Sequence, residues 1–193
     1  LNCNIINSCN KYSIQTYFSG VILSLIMGET KIHTTERIDK VTLGAGCFWC
    51  VEAIFELLDG VIDVQVGYTG GSIENPTYED VSTGKSGHAE VIHIKYDNNI
   101  VSFDKLLDVF WKSHDPTTLN MQGADIGTQY RSVIFYHSEE QRKSAVKSME
   151  SMDISKMYAN PIITEIMSVG TFYTAENYHQ NYYSVNPTAP YCQ

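Results

Sequence analysis

Positive charge is scarce in this chain: 13 lysines and arginines stand against 22 aspartates and glutamates in 193 residues, a net charge of −9. A surface of that sign repels phosphate backbones and anionic headgroups, which argues against nucleic acid as a main partner and against stable membrane association. Long apolar runs are missing too. The stretch Val21 to Met27 is about a third of what a bilayer-spanning helix needs. No N-glycosylation acceptor exists, because Asn75-Pro76-Thr77 and Asn186-Pro187-Thr188 both carry the forbidden proline. Gly84-Lys85-Ser86 has the ending of a phosphate-binding loop, but Glu79 stands where its first glycine is required. Cysteine is sparse and odd in number, with five at positions 3, 9, 47, 50 and 192. A chain of this length, 43% hydrophobic, can bury a core without a disulfide framework, so a reducing, cytoplasmic setting with working thiols is expected.

What the chain does have is Gly44-Ala45-Gly46-Cys47-Phe48-Trp49-Cys50, two thiols in Cys-x-x-Cys spacing around an aromatic pair. Val41 to Leu43 reads as a strand, and Val51, Ile54, Phe55 and Leu58 repeat at the spacing of one helix face. Cys47 therefore falls where strand becomes helix. Unpaired backbone N–H groups at a helix N-terminus favour a negative charge, so a thiol there should ionise more readily. A thiol with pKa about 8.5 is only about 3% thiolate at pH 7, and a pKa of about 7 would make it roughly half. The glycines, lacking Cβ, are expected to let a substrate backbone approach the sulfur.

Residues 1–40 read as an N-terminal extension, disordered or carrying a weak signal, ahead of a single domain over residues 41–193. Lys11 precedes the apolar run, yet no small-residue cleavage site follows it. Beyond the first strand and helix, Val61 to Tyr68 and Ala89 to Tyr96 alternate like strands. Phe103, Leu106, Leu107 and Phe110 mark an amphipathic helix, and Arg131 to Tyr136 a further strand. Ser138-Glu139-Glu140-Gln141 is a capping box opening a helix that should end near Met152. Ile162 to Met167 reads as a last strand and Thr174 to Tyr183 as a closing helix. The order strand, helix, strand, strand, helix, strand predicts an α+β fold: a ferredoxin-like split βαβ core, a two-layer α/β sandwich with a mixed sheet and long functional loops. Structureless loops of this length are uncommon without a function, so Thr69 to His88 and Asp115 to Gln129 are the expected walls of a site.

Those loops and their flanks hold Gly67-Tyr68-Thr69-Gly70-Gly71, Asn75-Pro76-Thr77-Tyr78, Gly87-His88-Ala89-Glu90 and the run Gly123 to Ser132. Together with Gly46-Cys47-Phe48-Trp49, they closely resemble the A-type peptide methionine sulfoxide reductases, from about Val41 to Cys192. The resemblance implies thiol-dependent reduction of the S epimer of methionine sulfoxide, free or in oxidised proteins. It implies no bound cofactor, an external thiol reductant such as thioredoxin, and a monomer.

By the same resemblance, Cys47 matches the nucleophile and Glu90 the acid that protonates the departing oxygen; partial burial would keep such an acid protonated near neutrality. Tyr78 and Tyr130 match hydrogen-bond donors to the sulfoxide oxygen, Asp125 another polar member of the pocket, and Phe48 and Trp49 the wall holding the methyl group. His88 and His179 are expected to make structural hydrogen bonds rather than chemistry. A second thiol must regenerate Cys47, because a sulfenic acid condenses with a nearby thiol to a disulfide. Cys50 and Cys192 both qualify, and Cys50 stands where the family more often has glycine. Cβ atoms three residues apart on a regular helix are about 5–6 Å apart, whereas a disulfide wants about 3.5–4.5 Å, so the first turn would have to adjust. Two other readings exist: a thioredoxin-like disulfide oxidoreductase, and a zinc-stabilised binding module using Cys47 and Cys50 as half a site.

Overall fold

The computed structural model describes residues 37–188, so most of the expected extension, together with Cys3, Cys9 and Cys192, lies outside the described residues. In chain order the elements are β1 (Ile38–Ala45), α1 (Phe48–Phe55), β2 (Val61–Thr69), α2 (Tyr78–Ser82), β3 (Ala89–Asp97), α3 (Phe103–Ser113), β4 (Met121–Gln122), β5 (Asp125–Ile126), β6 (Ser132–Tyr136), α4 (Glu139–Ser155), β7 (Glu165–Ser168), β8 (Tyr173–Thr174) and α5 (Tyr182–Val185). Short 3₁₀ turns occupy Thr128–Tyr130 and Asn177–His179.

Six strands form one sheet in the order β7-β6-β1-β3-β2-β8. Its inner four strands, β6-β1-β3-β2, are antiparallel throughout and have the arrangement expected of a split βαβ core. β7 joins parallel to β6 and β8 antiparallel to β2, which makes the sheet mixed. Alternation decides the faces. Val41 and Leu43, Val64, Val66 and Tyr68, and Ile92, Ile94 and Tyr96 point to one side, where they pack with Phe48, Val51 and Phe55 of α1 and with Leu106, Leu107, Phe110 and Trp111 of α3. Ala89, Val91, Val133 and Phe135 point to the other side, beneath Val169 and Phe172 of the β7–β8 connection.

Several elements differ from their sequence reading for identifiable reasons. β1 begins at Ile38, ahead of the boundary placed at residue 40. α1 stops at Phe55, and its buried face is Phe48, Val51, Glu52 and Phe55, leaving Ile54 exposed. The loop 69–88 contains α2, whose capping box pairs Thr77 with Asp80. The loop 115–129 contains the β4–β5 ladder. At Ser138 the hydroxyl does accept from the Gln141 amide, but the Gln141 side chain accepts from His137 N–H and donates to the Lys40 carbonyl, tying α4 to β1.

The closing helix expected over Thr174 to Tyr183 is absent as such. In its place stand β8, a 3₁₀ turn and the four-residue α5. Side chains outcompete helix here: the Gln180 amide pairs with both backbone groups of Val66 and with the Ala175 carbonyl, and Asn181 adopts a left-handed φ of 53°.

Candidate active site

Register along β3 sets the environment of Glu90. It lies directly opposite Tyr68 on β2 and in line with Ile92, Ile94 and Tyr96, so its carboxyl points to the helix-covered side of the sheet. Only 2% of Glu90 is exposed, which rules out the exposed cross-strand partner that a glutamate at a strand start would otherwise be. Burial, reinforced by the charges of Asp125 and Cys50, pushes its pKa up to about 8, although the Phe48 N–H it accepts pulls the other way. At neutral pH this carboxyl carries a proton.

β1 delivers the thiol to the same place. Gly46 has φ +89°, a conformation that L side chains rarely adopt, and turns the chain sharply from β1 into α1. A Cβ there would come within 2.6 Å of Cβ and Cγ of Gln122. At Gly44 a Cβ would meet Val133 Cγ1 at 2.8 Å and the Glu90 carbonyl at 3.1 Å. Gly44 and Gly46 thus serve close packing of the protein's own strands and hairpin.

Cys47 is the N-cap of α1, with φ −59° and ψ 120°, and Cys50 lies three residues on in the first turn. Because Cys47 has left helical geometry, the separation of two residues on a regular helix does not apply to this pair. An N-cap side chain is placed to reach back over N3, which is where Cys50 sits.

A cavity of about 100 Å³ opens beside the nucleophile, lined by Cys47, Phe48, Trp49, Tyr78, Glu90, Asp125 and Tyr130. These are seven of the nine residues singled out in the sequence. Cys50 is next to the cavity rather than in it, and Cys192 is outside the described residues. Burial raises the pKa of both Tyr78 and Tyr130, with the Glu90 charge adding to it, so both phenols keep their protons as donors.

Residues not singled out from the sequence build the support. Glu176 accepts from the Tyr78 N–H at 2.9 Å and from the Tyr68 hydroxyl at 3.0 Å; despite the opposing effect of burial, these bonds hold it below the usual carboxylate range. His179 Nδ1 accepts the Trp49 indole N–H at 3.2 Å, and its ring packs against Tyr78 and Phe48. Tyr182 stacks on Trp49 with centroids 3.7 Å apart and planes at 8°.

His88 behaves as a structural residue, accepting from Gly71 N–H and bonding the Ile73 carbonyl. His179 does so by one nitrogen only; its buried Nε2 makes no hydrogen bond and lies 3.9 Å from Glu176 Oε2. His88 and His93 have the His-x₄-His spacing that half a zinc site could use. His88 precedes β3 and bonds Gly71 and Ile73, whereas His93 on β3 bonds the Thr42 hydroxyl, which also bonds His137. Among the described residues no group of three or more histidine, cysteine or acidic side chains could hold a metal ion, and no helix is long and apolar enough to cross a membrane.

The family model for peptide methionine sulfoxide reductase matches residues 39–193. The chain belongs to the peptide methionine sulfoxide reductase family. A peptide methionine sulfoxide reductase MsrA of Methanothermobacter thermautotrophicus is 56% identical over 151 residues, 78% of this chain and 89% of the relative. Among solved structures, reduced Mxr1 from Saccharomyces cerevisiae superposes with a TM-score of 0.76 at 37% identity, covering 80% of this chain and 89% of that one. Mxr1 in complex with Trx2 matches with a TM-score of 0.55 at 29% identity, over 80% and 91%. This reductase is accordingly a thiol-dependent peptide-methionine (S)-S-oxide reductase with an α+β fold. The disulfide-oxidoreductase and zinc-module readings of its Cys-x-x-Cys pair give way to that assignment.

Proposed function

We infer that residues 41–193 form a single catalytic domain in which Cys47 reduces the sulfoxide, Glu90 supplies the proton, Tyr78 and Tyr130 orient the oxygen, and Asp125 is another polar member of the pocket. The observation that carries this reading is the convergence of one thiol, one protonated carboxyl and two phenols on a single small cavity. The cavity has room for the end of a side chain. Phe48 and Trp49 form its apolar wall and hold the methyl group.

The Cys47 thiolate attacks the sulfoxide sulfur while Glu90 gives its proton to the oxygen. The S–O bond breaks as that oxygen passes to Cys47, leaving methionine and a Cys47 sulfenic acid: the substrate sulfur gains two electrons and Cys47 loses two. A hydrogen-bond donor aimed at the oxygen strengthens as negative charge gathers there, which is the role of the two phenols.

Recycling requires a second thiol and an external reductant. Cys50, three residues from Cys47 and clear of the cavity, is the first resolving residue; Cys192 takes over the disulfide or substitutes for it. Thioredoxin is the reductant, as the complex of the related Mxr1 with Trx2 supports. The substrate is methionine sulfoxide in oxidised proteins or the free amino acid. The chain acts as a cytoplasmic monomer in protein repair under oxidative stress. Reduction of epimerically resolved methionine sulfoxide with thioredoxin or dithiothreitol tests the assignment. Activity on the S epimer that disappears in Cys47→Ser is expected; an undiminished Cys47→Ser would overturn it.

A further inference from the structure

The C-terminal segment meets α1 through two adjacent pairs of residues. Trp49 and Cys50 are neighbours in the first turn of α1, and Tyr182 and Tyr183 are neighbours in the first turn of α5. Tyr182 stacks on Trp49, and the Tyr183 hydroxyl lies 3.3 Å from Cys50 Sγ. The two helix starts are therefore in register, tyrosine pair on tryptophan–cysteine pair.

Glu52 fixes that register. The N-cap of α5 is Asn181, whose own side chain makes no capping hydrogen bond. The groups a helix start leaves unpaired are taken instead by a carboxylate from another element: Glu52 Oε1 accepts the Asn181 N–H at 2.8 Å and Oε2 accepts the Tyr182 N–H at 3.3 Å. Glu52 is 1% exposed. Its place on the buried face of α1, one turn beyond Trp49, aligns it with the segment it holds.

We propose that Tyr183, held in place by Glu52, is a positioning residue for Cys50 in the recycling step, donating its phenolic hydrogen to the Cys50 sulfur as that thiol ionises. An ordinary thiol (pKa about 8.5) loses its proton before a phenol (about 10), so a Cys50 thiolate beside Tyr183 is the acceptor and the phenol the donor. A hydrogen bond to the charged form favours that form. The Cys50 thiolate then attacks the Cys47 sulfenic sulfur; the S–S bond forms, the S–O bond breaks, and hydroxide leaves as water with the proton that Cys50 gave up. The role rests on Cys50 being the first resolver.

The test compares Tyr183→Phe, Glu52→Gln and Cys50→Ser with the parent enzyme. Iodoacetamide labelling of Cys50, followed by mass spectrometry from pH 6 to 10 in a Cys47→Ser background, reads ionisation directly; stopped single-turnover mixtures read disulfide formation. In Tyr183→Phe the labelling midpoint should move up by about one pH unit and disulfide formation at pH 7 should slow about tenfold. Glu52→Gln retains one acceptor for two amides and should show a smaller shift of the same sign. Tyr183→Phe removes only a hydroxyl, and a merely structural role for it would leave the labelling midpoint unmoved. If Cys50→Ser is defective in disulfide formation while Tyr183→Phe labels and closes like the parent, the role of Tyr183 fails alone. If Cys50→Ser forms its disulfide at the parental rate, the resolver assignment fails and takes the role with it.

Discussion

Glu90 shows how one side chain's address determines its chemistry. On a strand face shared with Ile92 and Ile94, and with the Cys50 and Asp125 charges nearby, it keeps its proton until about pH 8. The reduction step needs that proton, so its rate should fall as pH rises through about 8. Single-turnover rates in Glu90→Gln should drop at least about a hundredfold and lose that descending limb. A variant with the parental pH profile would place the acid elsewhere. Tyr78→Phe and Tyr130→Phe should each slow sulfoxide reduction roughly tenfold, with the double variant losing less than the product if both phenols bond the same oxygen. At this scale the sequence was most informative, because the residues that line the cavity lie in short ordered motifs. Glu52, Glu176 and Tyr183 were not legible. The hydrogen bonds that place them run to backbone amides, a phenol and a thiol at least 98 positions away, and nothing local in the chain marks such pairings.

Among the elements, the β1–α1 junction is the most constrained. Gly46→Ala would place a side chain in left-handed backbone and against Gln122, at a cost of about 1–3 kcal/mol. Activity should fall further than stability, since the strain acts at the residue before Cys47. Adding Gln122→Ala should restore part of the loss by removing the clash but not the φ penalty; equal defects in the single and double variants would show that contact to be irrelevant. Hydrophobic periodicity located β1, β2, β3 and α3 because each presents a regular apolar face to the core. It failed over Thr174 to Tyr183, where Gln180 and Asn181 commit the backbone to other partners. It also missed α2 and the β4–β5 ladder, which are too short to carry a period.

Over the molecule as a whole, the split βαβ order was readable from the succession of elements; β7, expected over Ile162 to Met167, forms at Glu165–Ser168, while the two-residue β8 beyond it is too short for a local pattern to announce. Housing a protonated carboxyl also sets a pH dependence of folding. The unfolded chain's Glu90 ionises near its ordinary value of 4.5, the folded protein's only near 8, so stability declines with rising pH across that window and levels off above it. Glutamine stays neutral throughout. The melting temperature of Glu90→Gln relative to the parent should therefore rise from pH 5 to pH 8, and a pH-independent difference would contradict the burial of that acid. α1 carries a separate lesson about length. Each helical residue advances the chain by about 100°, and within one short helix the nucleophile, the substrate wall, the second thiol and the anchor of the C-terminal segment are set at successive angles. One extra residue between Cys50 and Glu52 would keep the thiol pair intact yet swing the carboxylate about a quarter-turn off Asn181 and Tyr182. Insertions are therefore better tolerated in the loops that wall the site than in the six residues from Cys47 to Glu52, where the count itself carries the function.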